Sequence, residues 1–202
     1  MGGWPDCDGI DGAANLCANQ SNQPIEMIEA DNPLEILRYG YVPDSGGPGR
    51  NRGGIALMRE YRLLADEAVF TLRSDRRLHP PYGIQGGKCG TPSWTVLNPG
   101  PDQEILPVLP LEKSDLKKGD RILYIQSGGG GYGNPLERDP LAVFADVLDE
   151  KLTIGYASRE YGVVISARTL QLDMRATELL RRKATKGKRA IHTAICAILL
   201  KP

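Results

Sequence analysis

The chain has 202 residues, of which 41% are hydrophobic and 6% aromatic, so it can bury the core of one large domain or two small ones. Its 24 glycines and 15 prolines predict many turns and short strands rather than a helical bundle. The formal net charge of zero hides an asymmetry, because eight basic residues and one acidic residue lie from Arg175 onward, against 17 basic and 24 acidic residues before it.

The cysteines, at positions 7, 17, 89 and 196, form no CxxC pair, and the sequence from Met1 shows neither the basic start nor the apolar segment of a signal peptide. We therefore expect reduced thiols and a cytoplasmic location. No apolar run reaches the length that spans a bilayer, so no membrane partner is expected.

The first thirty residues are typical of a loop. Asp6, Asp8 and Asp11 suggest a calcium loop, but their spacing does not alternate and no Glu closes the loop, which argues against calcium.

Residues 34–42 predict a short strand, and the segment PDSGGPGRNRGG follows it. The DSGGP sequence also surrounds the nucleophile of trypsin-like proteases, but no histidine precedes Ser45, so that mechanism is excluded. Two interpretations remain for this segment. The simpler one is a glycine-rich turn with exposed Arg50 and Arg52, and the other is an anion cradle built from backbone and guanidinium groups.

Five further strands are predicted between residues 54 and 126. In the first of them, Leu57, Arg59, Tyr61 and Leu63 alternate with residues that include Glu60, so charges fall on both faces and we expect an edge or twisted strand. The others are predicted in the sequences EAVFTLRSDR, WTVLN, EILPVLPLE and DRILYIQ. The long loop HPPYGIQGGKCGTP is predicted to be functional or interfacial. His79 in it is the only histidine of this β-rich region, so no metal site is predicted within the chain.

The last of these strands is expected to be central, and a run of four glycines, Gly128–Gly131, follows it. Such a run indicates either conformations closed to other residues or close approach to a ligand, a partner or another strand. A dinucleotide fingerprint is disfavoured because Asn134 and Pro135 separate the glycines from the next helix start at Asp139. A phosphate loop is disfavoured because no Lys-Ser or Lys-Thr pair follows.

Helices are predicted over 140–150, with an apolar stripe that includes Leu141, Phe144 and Leu148, and then over 156–161 and 169–183, with an extended segment GVVIS between the last two. The domain division that follows is a β-rich body over 1–139 and a helical segment over 140–202 packed on it.

The composition leaves open whether the basic tail from about residue 175 is ordered. Nucleic-acid binding by this tail is disfavoured because aromatic residues do not interleave with its charges. The fold class is thus α+β, with an antiparallel or mixed sheet.

Several segments, in this order, carry a resemblance to a known family. They are DGIDG, NQPIEMIEA, PDSGGPGRNRGG, PPYGIQGGKCG, LKKGDRILYIQSGGGGYGNPLERDP and REYGVVI. Over residues 2–166 the chain resembles the C-terminal part of the hydantoinase B/5-oxoprolinase family, whose members include subunits of N-methylhydantoinase and of acetone and acetophenone carboxylases. On this resemblance the chain is expected to be the last third of a larger subunit.

The resemblance implies a role as fragment or split subunit in an ATP-dependent complex that hydrolyses cyclic amides such as hydantoin or 5-oxoproline. A hydantoinase A-type subunit would bind ATP, a missing N-terminal part of the hydantoinase B-type polypeptide would complete the site, and ATP and a divalent metal would be held outside this chain. A small molecule would be the substrate. The alternatives are a non-catalytic docking module of such a complex, or part of a related ATP-dependent ketone carboxylase.

No catalytic residue is assigned, and the chain alone is expected to be inactive. The residues expected to bind substrate or form an interface lie in the two glycine-rich segments, with the last three reaching toward the rest of the enzyme. They are Ser45, Gly46, Gly47, Arg50, Arg52, Gly128, Gly129, Gly130, Gly131, Tyr132, Asn134 and Arg138. The segment around Asn19, Asn22, Pro24 and Glu26 also matches the family, without an assigned role.

Overall fold

The structure is a computed structural model that describes residues 1–13, 22–108 and 111–185. It confirms an α+β fold in which every strand pairing is antiparallel. The strands are β1 Leu34–Tyr41, β2 Leu57–Leu63, β3 Glu67–Leu72, β4 Trp94–Leu97, β5 Glu104–Ile105, β6 Leu111–Lys117 and β7 Arg121–Ile125. Five of them form a sheet in the order β1-β2-β7-β4-β5, and β3 pairs with β6 in a second, two-stranded sheet.

Strand β7, which leads into the glycine run, is central in the larger sheet, as predicted. The prediction of an edge position for β2 is wrong, because β2 pairs with β1 on one side and β7 on the other. Its charged residue Glu60 is buried there between two arginines, with its carboxylate 2.6 Å from Arg38 Nε and 3.3 Å from Arg121 Nη1. The ion pairs across the sheet thus make an interior position tolerable for a charged strand.

The segment predicted as one strand, EILPVLPLE, instead contributes the short β5 and the start of β6. Its prolines lack the N–H group that a continuous ladder needs, and they fall between these two strands. β6 then runs on through the polar sequence to Lys117, which the apolar pattern missed.

Four α-helices are described: α1 Ile25–Asp31, α2 Pro140–Leu148, α3 Ile154–Tyr161 and α4 over residues 174–185. α1 corrects the prediction that the first thirty residues form only loops. The N-caps of α2 and α3 are Asp139 and Thr153, whose side chains accept hydrogen bonds from the first turn. The predicted extended segment GVVIS forms only an isolated bridge, between Ile165 and Leu172.

Two apolar cores hold these elements. The first packs Leu63, Leu97 and Ile122 of the large sheet against residues of β3 and β6. The second joins α2 and α3 through Val143 and Tyr161.

The apolar stripe predicted for α2 is only half correct. Phe144 packs against the second core, but Leu141 and Leu148 are 62% and 54% exposed. No helix within the described residues is long and apolar enough to cross a membrane.

Candidate functional site

The four glycines of Gly128–Gly131 lie against other backbone segments of the same chain. A Cβ atom on Gly128 would stand 1.8 Å from the carbonyl oxygen of Ser45, and one on Gly130 would stand 1.9 Å from that of Tyr82. None of the four has the positive φ that favours glycine. Of the two explanations that the sequence left open, close approach is therefore the correct one, and the other body is this chain's own backbone.

We call this region the glycine core, defined by Gly128–Gly131 and the segments 2–3, 45–54 and 82–91 that surround it. The N–H groups of Gly128, Gly129 and Gly131 donate to the carbonyls of Thr91, Gly54 and Lys88, respectively. The carbonyl of Gly129 accepts from Gly47 N, and that of Gly130 accepts from Gly3 N. These N–H groups are already bonded inside the chain, so they are not available to cradle a phosphate.

Ser45 is a structural residue of the glycine core. It is 1% exposed, its hydroxyl donates to the Val42 carbonyl at 2.6 Å, and the same oxygen accepts from Ala56 N at 2.8 Å. Both hydrogen bonds fix the turn that carries Gly46 and Gly47, and they leave the hydroxyl without the base that a nucleophile requires.

Arg50, Tyr132 and Asn134 lie at the rim of the glycine core. The Arg50 guanidinium donates to the Pro5 carbonyl and lies 6.0 Å from the centre of the Tyr132 ring. Asn134 caps the short 3-10 turn Pro135–Glu137, with its side-chain oxygen accepting from Leu136 N. Arg50 is the most accessible of the three, and Asn134 serves local backbone structure.

Arg52 and Arg138 form a buried ion cluster with three aspartates. Arg52, predicted to be exposed, is 2% exposed, and Arg138 is 4% exposed. Arg52 donates to both carboxylate oxygens of Asp11, at 2.8 and 3.2 Å. Arg138 donates to both oxygens of Asp8, at 2.5 and 2.6 Å, and to Asp146 at 2.7 Å.

Asp146 joins the two halves of this cluster, because its second oxygen lies 3.4 Å from Arg52 Nε. The cluster connects three regions distant in sequence, namely the N-terminal segment, the turn before β2 and helix α2. We call these five residues the arginine–aspartate cluster. Its bidentate geometry is the kind that compensates for the desolvation of buried charges.

Opposite charges in the cluster shift one another's pKa values so that each group favours its ionised form. Burial alone would raise the pKa of Asp8, but hydrogen bonds from Arg138 outweigh it, so the pKa of this carboxyl is lowered. The pKa of Asp11 is lowered in the same way, with Arg52 outweighing burial. The pKa of Arg138 is raised, since its aspartate partners outweigh its desolvation. All of these groups therefore stay ionised at neutral pH.

A metal ion does not fit this cluster. The carboxylates of Asp8, Asp11 and Asp146 each pair with a guanidinium group, and Lys151 Nζ, 3.6 Å from Asp11, supplies the third positive charge that balances them. Across the described ranges, no group of three or more His, Cys, Asp and Glu side chains is placed to hold a metal. His79 is exposed and belongs to no such group.

A cavity of about 320 Å³ lies on one face of the large sheet, and its lining includes Tyr39, Arg59, Tyr61 and Tyr124. The strand register explains this grouping, because Tyr39 of β1 pairs with Arg59 of β2, which pairs with Tyr124 of β7. Tyr61 follows two residues after Arg59 and so shares its face. We call this cavity the tyrosine pocket.

Arg59 is the centre of the tyrosine pocket. Its guanidinium carbon lies 4.4 Å from the centre of the Tyr39 ring, and it donates to the Tyr61 hydroxyl at 3.0 Å and to the Asn22 side-chain oxygen at 2.6 Å. Asn22 in turn donates to the Tyr39 hydroxyl at 2.6 Å. The Asn22 of the family-like segment, for which no role was predicted, thus positions the pocket's cation.

A second cavity, of about 500 Å³, shares Tyr124 and Gln126 with the tyrosine pocket. Ser127, directly before the glycine run, lines it. Strand register puts Arg59 and Tyr61 on the same face of the large sheet as Ile122 and Leu97. Both cavities therefore lie on the face that packs against β3 and β6, in the part of it that these strands leave open beside the glycine core.

Sequence reasoning found Arg52 and Arg138 but missed their partners Asp8, Asp11 and Asp146. The sequence pattern suggests Asp8 and Asp11 only as calcium ligands, together with Asp6. The tyrosine pocket was missed as well, although the alternation in β2 had placed Arg59 and Tyr61 on one face. What was missing was the register with β1 and β7, which decides which side chains become neighbours.

The hydantoinase B/oxoprolinase family model matches residues 1–135. A protein of Pseudomonas sp. (strain NS671) assigned as the B-type component of a D-/L-hydantoinase is 37% identical over 177 residues, which is 87% of this chain and 29% of that protein. The beta chain of the caprolactamase of Pseudomonas jessenii is 32% identical over 184 residues, or 90% of this chain and 31% of that one.

Among solved structures, nucleotide-free acetone carboxylase superimposes with a TM-score of 0.74 at 23% identity, covering 91% of this chain and 29% of that one. This likeness is one of fold. The chain thus spans under a third of the length of each of these relatives. With the family model matched over two thirds of its length, the chain belongs to the hydantoinase B/oxoprolinase family.

Proposed function

We propose that this chain is a module of an ATP-dependent hydrolase of cyclic amides, and that it works together with further polypeptide of the hydantoinase B type and an ATP-binding component of the hydantoinase A type. The single observation that carries the proposal is the 37% identity to the B-type component of a D-/L-hydantoinase over 87% of the chain. The similarity to the beta chain of a caprolactamase supports the same class, because caprolactam is also a cyclic amide.

The chemistry explains why such a module needs partners. An unactivated cyclic amide is a poor electrophile, and transfer of a phosphoryl group from ATP to its oxygen supplies a leaving group. ATP and a divalent metal would be bound elsewhere in the complex. Together with Lys151, the arginine–aspartate cluster balances its own charges, so it has no free carboxylate to offer a metal.

Within this proposal, the glycine core holds the backbone segments of the fold together, and the open part of the sheet face beside it contributes side chains to the site. The N–H groups of Gly128, Gly129 and Gly131 are committed to the chain itself, whereas the tyrosine pocket presents polar groups to a cavity. This arrangement supports a role in lining or completing a site.

The experiment is reconstitution. The purified chain is mixed with a hydantoinase B-type protein that lacks the matching region and with a hydantoinase A-type protein, and ATP-dependent ring opening of hydantoin, 5-oxoproline and caprolactam is measured. We expect turnover only in the complete mixture and none from the chain alone. If the mixture stays inactive on all three rings while a full-length hydantoinase B-type protein is active, the proposal is wrong.

A second candidate is a docking module without any part in the chemistry. The observation in its favour is that Ser45, Arg52 and Arg138, all in the glycine-rich segments, are buried and bonded within the chain. Under this candidate, Arg59→Met in the tyrosine pocket leaves turnover per assembled complex unchanged. Under the first, the same variant assembles normally and loses turnover.

A further inference from the structure

Arg59 differs from the buried Arg52 and Arg138 in having no counter-ion. Arg52 and Arg138 are each matched by carboxylates, whereas no carboxylate of the described residues lies within 4.0 Å of Arg59. The segments 14–21, 109–110 and 186–202, which the structure does not describe, contain no Asp or Glu. A half-buried guanidinium without an acidic partner leaves a positive charge facing the cavity.

The groups around Arg59 are donors as well. Hydrogen bonds to Tyr61 and Asn22 use only two of the guanidinium's N–H groups, so the others remain free to donate. The hydroxyls of Tyr39 and Tyr61 each accept a hydrogen bond, from Asn22 and Arg59. Their own O–H protons have no acceptor within the described part of the chain, so both phenols can donate to a ligand.

We propose that the tyrosine pocket binds a small organic carboxylate, with Arg59 as its counter-ion and the hydroxyls of Tyr39 and Tyr61 as further donors. Arg59 is the only charged side chain among the described residues lining this cavity, so the site matches one negative charge. The rings of Tyr39 and Tyr61, with Leu57, provide apolar walls for an organic body. A phosphate dianion would need more positive charge than the pocket offers.

The choice of a carboxylate rests on the proposed function. Hydrolysis of a cyclic amide adds water across the ring C–N bond: the bond breaks, the carbonyl carbon becomes a carboxylate with the oxygen of water, and the nitrogen takes up a proton as an amine or amide while it stays attached through the rest of the former ring. Every ring of this class therefore yields a product with a carboxylate, whatever its other substituents. A site that binds a carboxylate therefore suits the product of every such ring.

The test uses the purified 202-residue chain and measures binding by calorimetric titration, without ATP or turnover. The probes are 5-oxoproline, which has a carboxylate, 2-pyrrolidinone, which is the same ring without it, and inorganic phosphate. We expect 5-oxoproline to bind at least about ten times more tightly than either of the others, because only it matches both the charge and the apolar walls.

The variants separate the pocket from the fold. Arg59→Met should weaken 5-oxoproline binding at least about tenfold, and Tyr61→Phe, which keeps the ring and removes only the hydroxyl, about threefold. Arg62→Met is the matched control, since Arg62 lies on the same strand and pairs with Glu35 at 2.8 Å outside the pocket. It should leave binding unchanged, and circular dichroism checks that every variant is folded.

Four results would overturn the proposal, and three of them are comparisons between probes or variants. In the first, 2-pyrrolidinone binds as tightly as 5-oxoproline. In the second, phosphate binds more tightly than 5-oxoproline. In the third, the folded Tyr61→Phe and Arg59→Met variants bind 5-oxoproline as tightly as the parent chain. Absence of any 5-oxoproline binding at about 20 mM, roughly the weakest affinity worth detecting for one ion pair, would overturn it as well. Failure of the reconstituted hydrolase with binding intact would instead contradict only the proposed function.

Discussion

The glycine core makes a sharp prediction about Gly128. Replacing it with Ala would place a Cβ 1.8 Å from the Ser45 carbonyl oxygen and 2.5 Å from the Ser45 carbonyl carbon, where ordinary contacts begin at 3.4 Å. The two backbone segments must then separate by more than an ångström. Because the obstacle is backbone rather than the end of a flexible side chain, no rotamer change can relieve it.

The separation breaks hydrogen bonds on both segments. The Ser45 carbonyl accepts from Thr91 N at 3.0 Å, and Gly128 N donates to the Thr91 carbonyl at 3.1 Å. Overpacking costs about 1–3 kcal/mol and each lost hydrogen bond about 1 kcal/mol, so we expect a loss of about 3–5 kcal/mol. For a chain of this size, that lowers the melting temperature by about 10 °C.

The assay is thermal unfolding followed by circular dichroism, with urea unfolding as a second measurement. Gly155→Ala is the matched control, because a Cβ on Gly155 meets nothing within 4 Å and the residue lies in helix α3. There alanine should stabilise by about 0.5–1 kcal/mol. If Gly128→Ala melts within about 2 °C of the parent chain, roughly the effect of a surface change, close backbone packing does not explain the glycine run.

Three further predictions concern the charges and the helical segment. Asp146→Asn leaves two buried guanidinium groups short of a carboxylate and should cost about 3 kcal/mol in urea unfolding, whereas Glu178→Gln, at an exposed ion pair, should cost under about 0.5 kcal/mol. Because its folded pKa lies below the ordinary 3.8, Asp8 stabilises the fold above pH 3.8, and this contribution is lost as the pH falls through the folded value. The fall in the free energy of unfolding between about pH 7 and about pH 3 should therefore be smaller in Asp8→Asn, and an equal fall in both proteins would contradict the pairing with Arg138. Gly162 has a φ of +64°, and a Cβ there would stand 2.9 Å from a neighbouring side chain. Gly162→Ala should therefore lower the free energy of unfolding by about 1–2 kcal/mol, and an unchanged urea midpoint would refute the strain argument.

Local patterns predicted much of the fold. The apolar run of residues 122–125 identified a central strand, and Asp139 with Pro140 identified the start of α2, because both depend on residues within one turn or strand. Leu141 was misjudged because its exposure depends on which face of α2 meets the second core. The position of β2 inside the sheet was also misjudged, since the arginines that neutralise Glu60 come from other strands.

The sequence by itself determined the family, the α+β class and the importance of the glycine run, since repeated glycines without a helix start exclude the common phosphate loops; that the sheets are antiparallel came from the structure. Only the tertiary structure decided what the run does. The fold brings the backbone of Ser45 and Tyr82 so close to these glycines that no side chain fits, and three of their N–H groups donate hydrogen bonds to carbonyls of the same chain. The tertiary structure alone also showed that Arg59 contacts Tyr39 and Tyr61. The physical reason is the same in both cases, because close backbone approach and strand register are set by contacts between residues far apart in sequence, which composition and spacing do not encode.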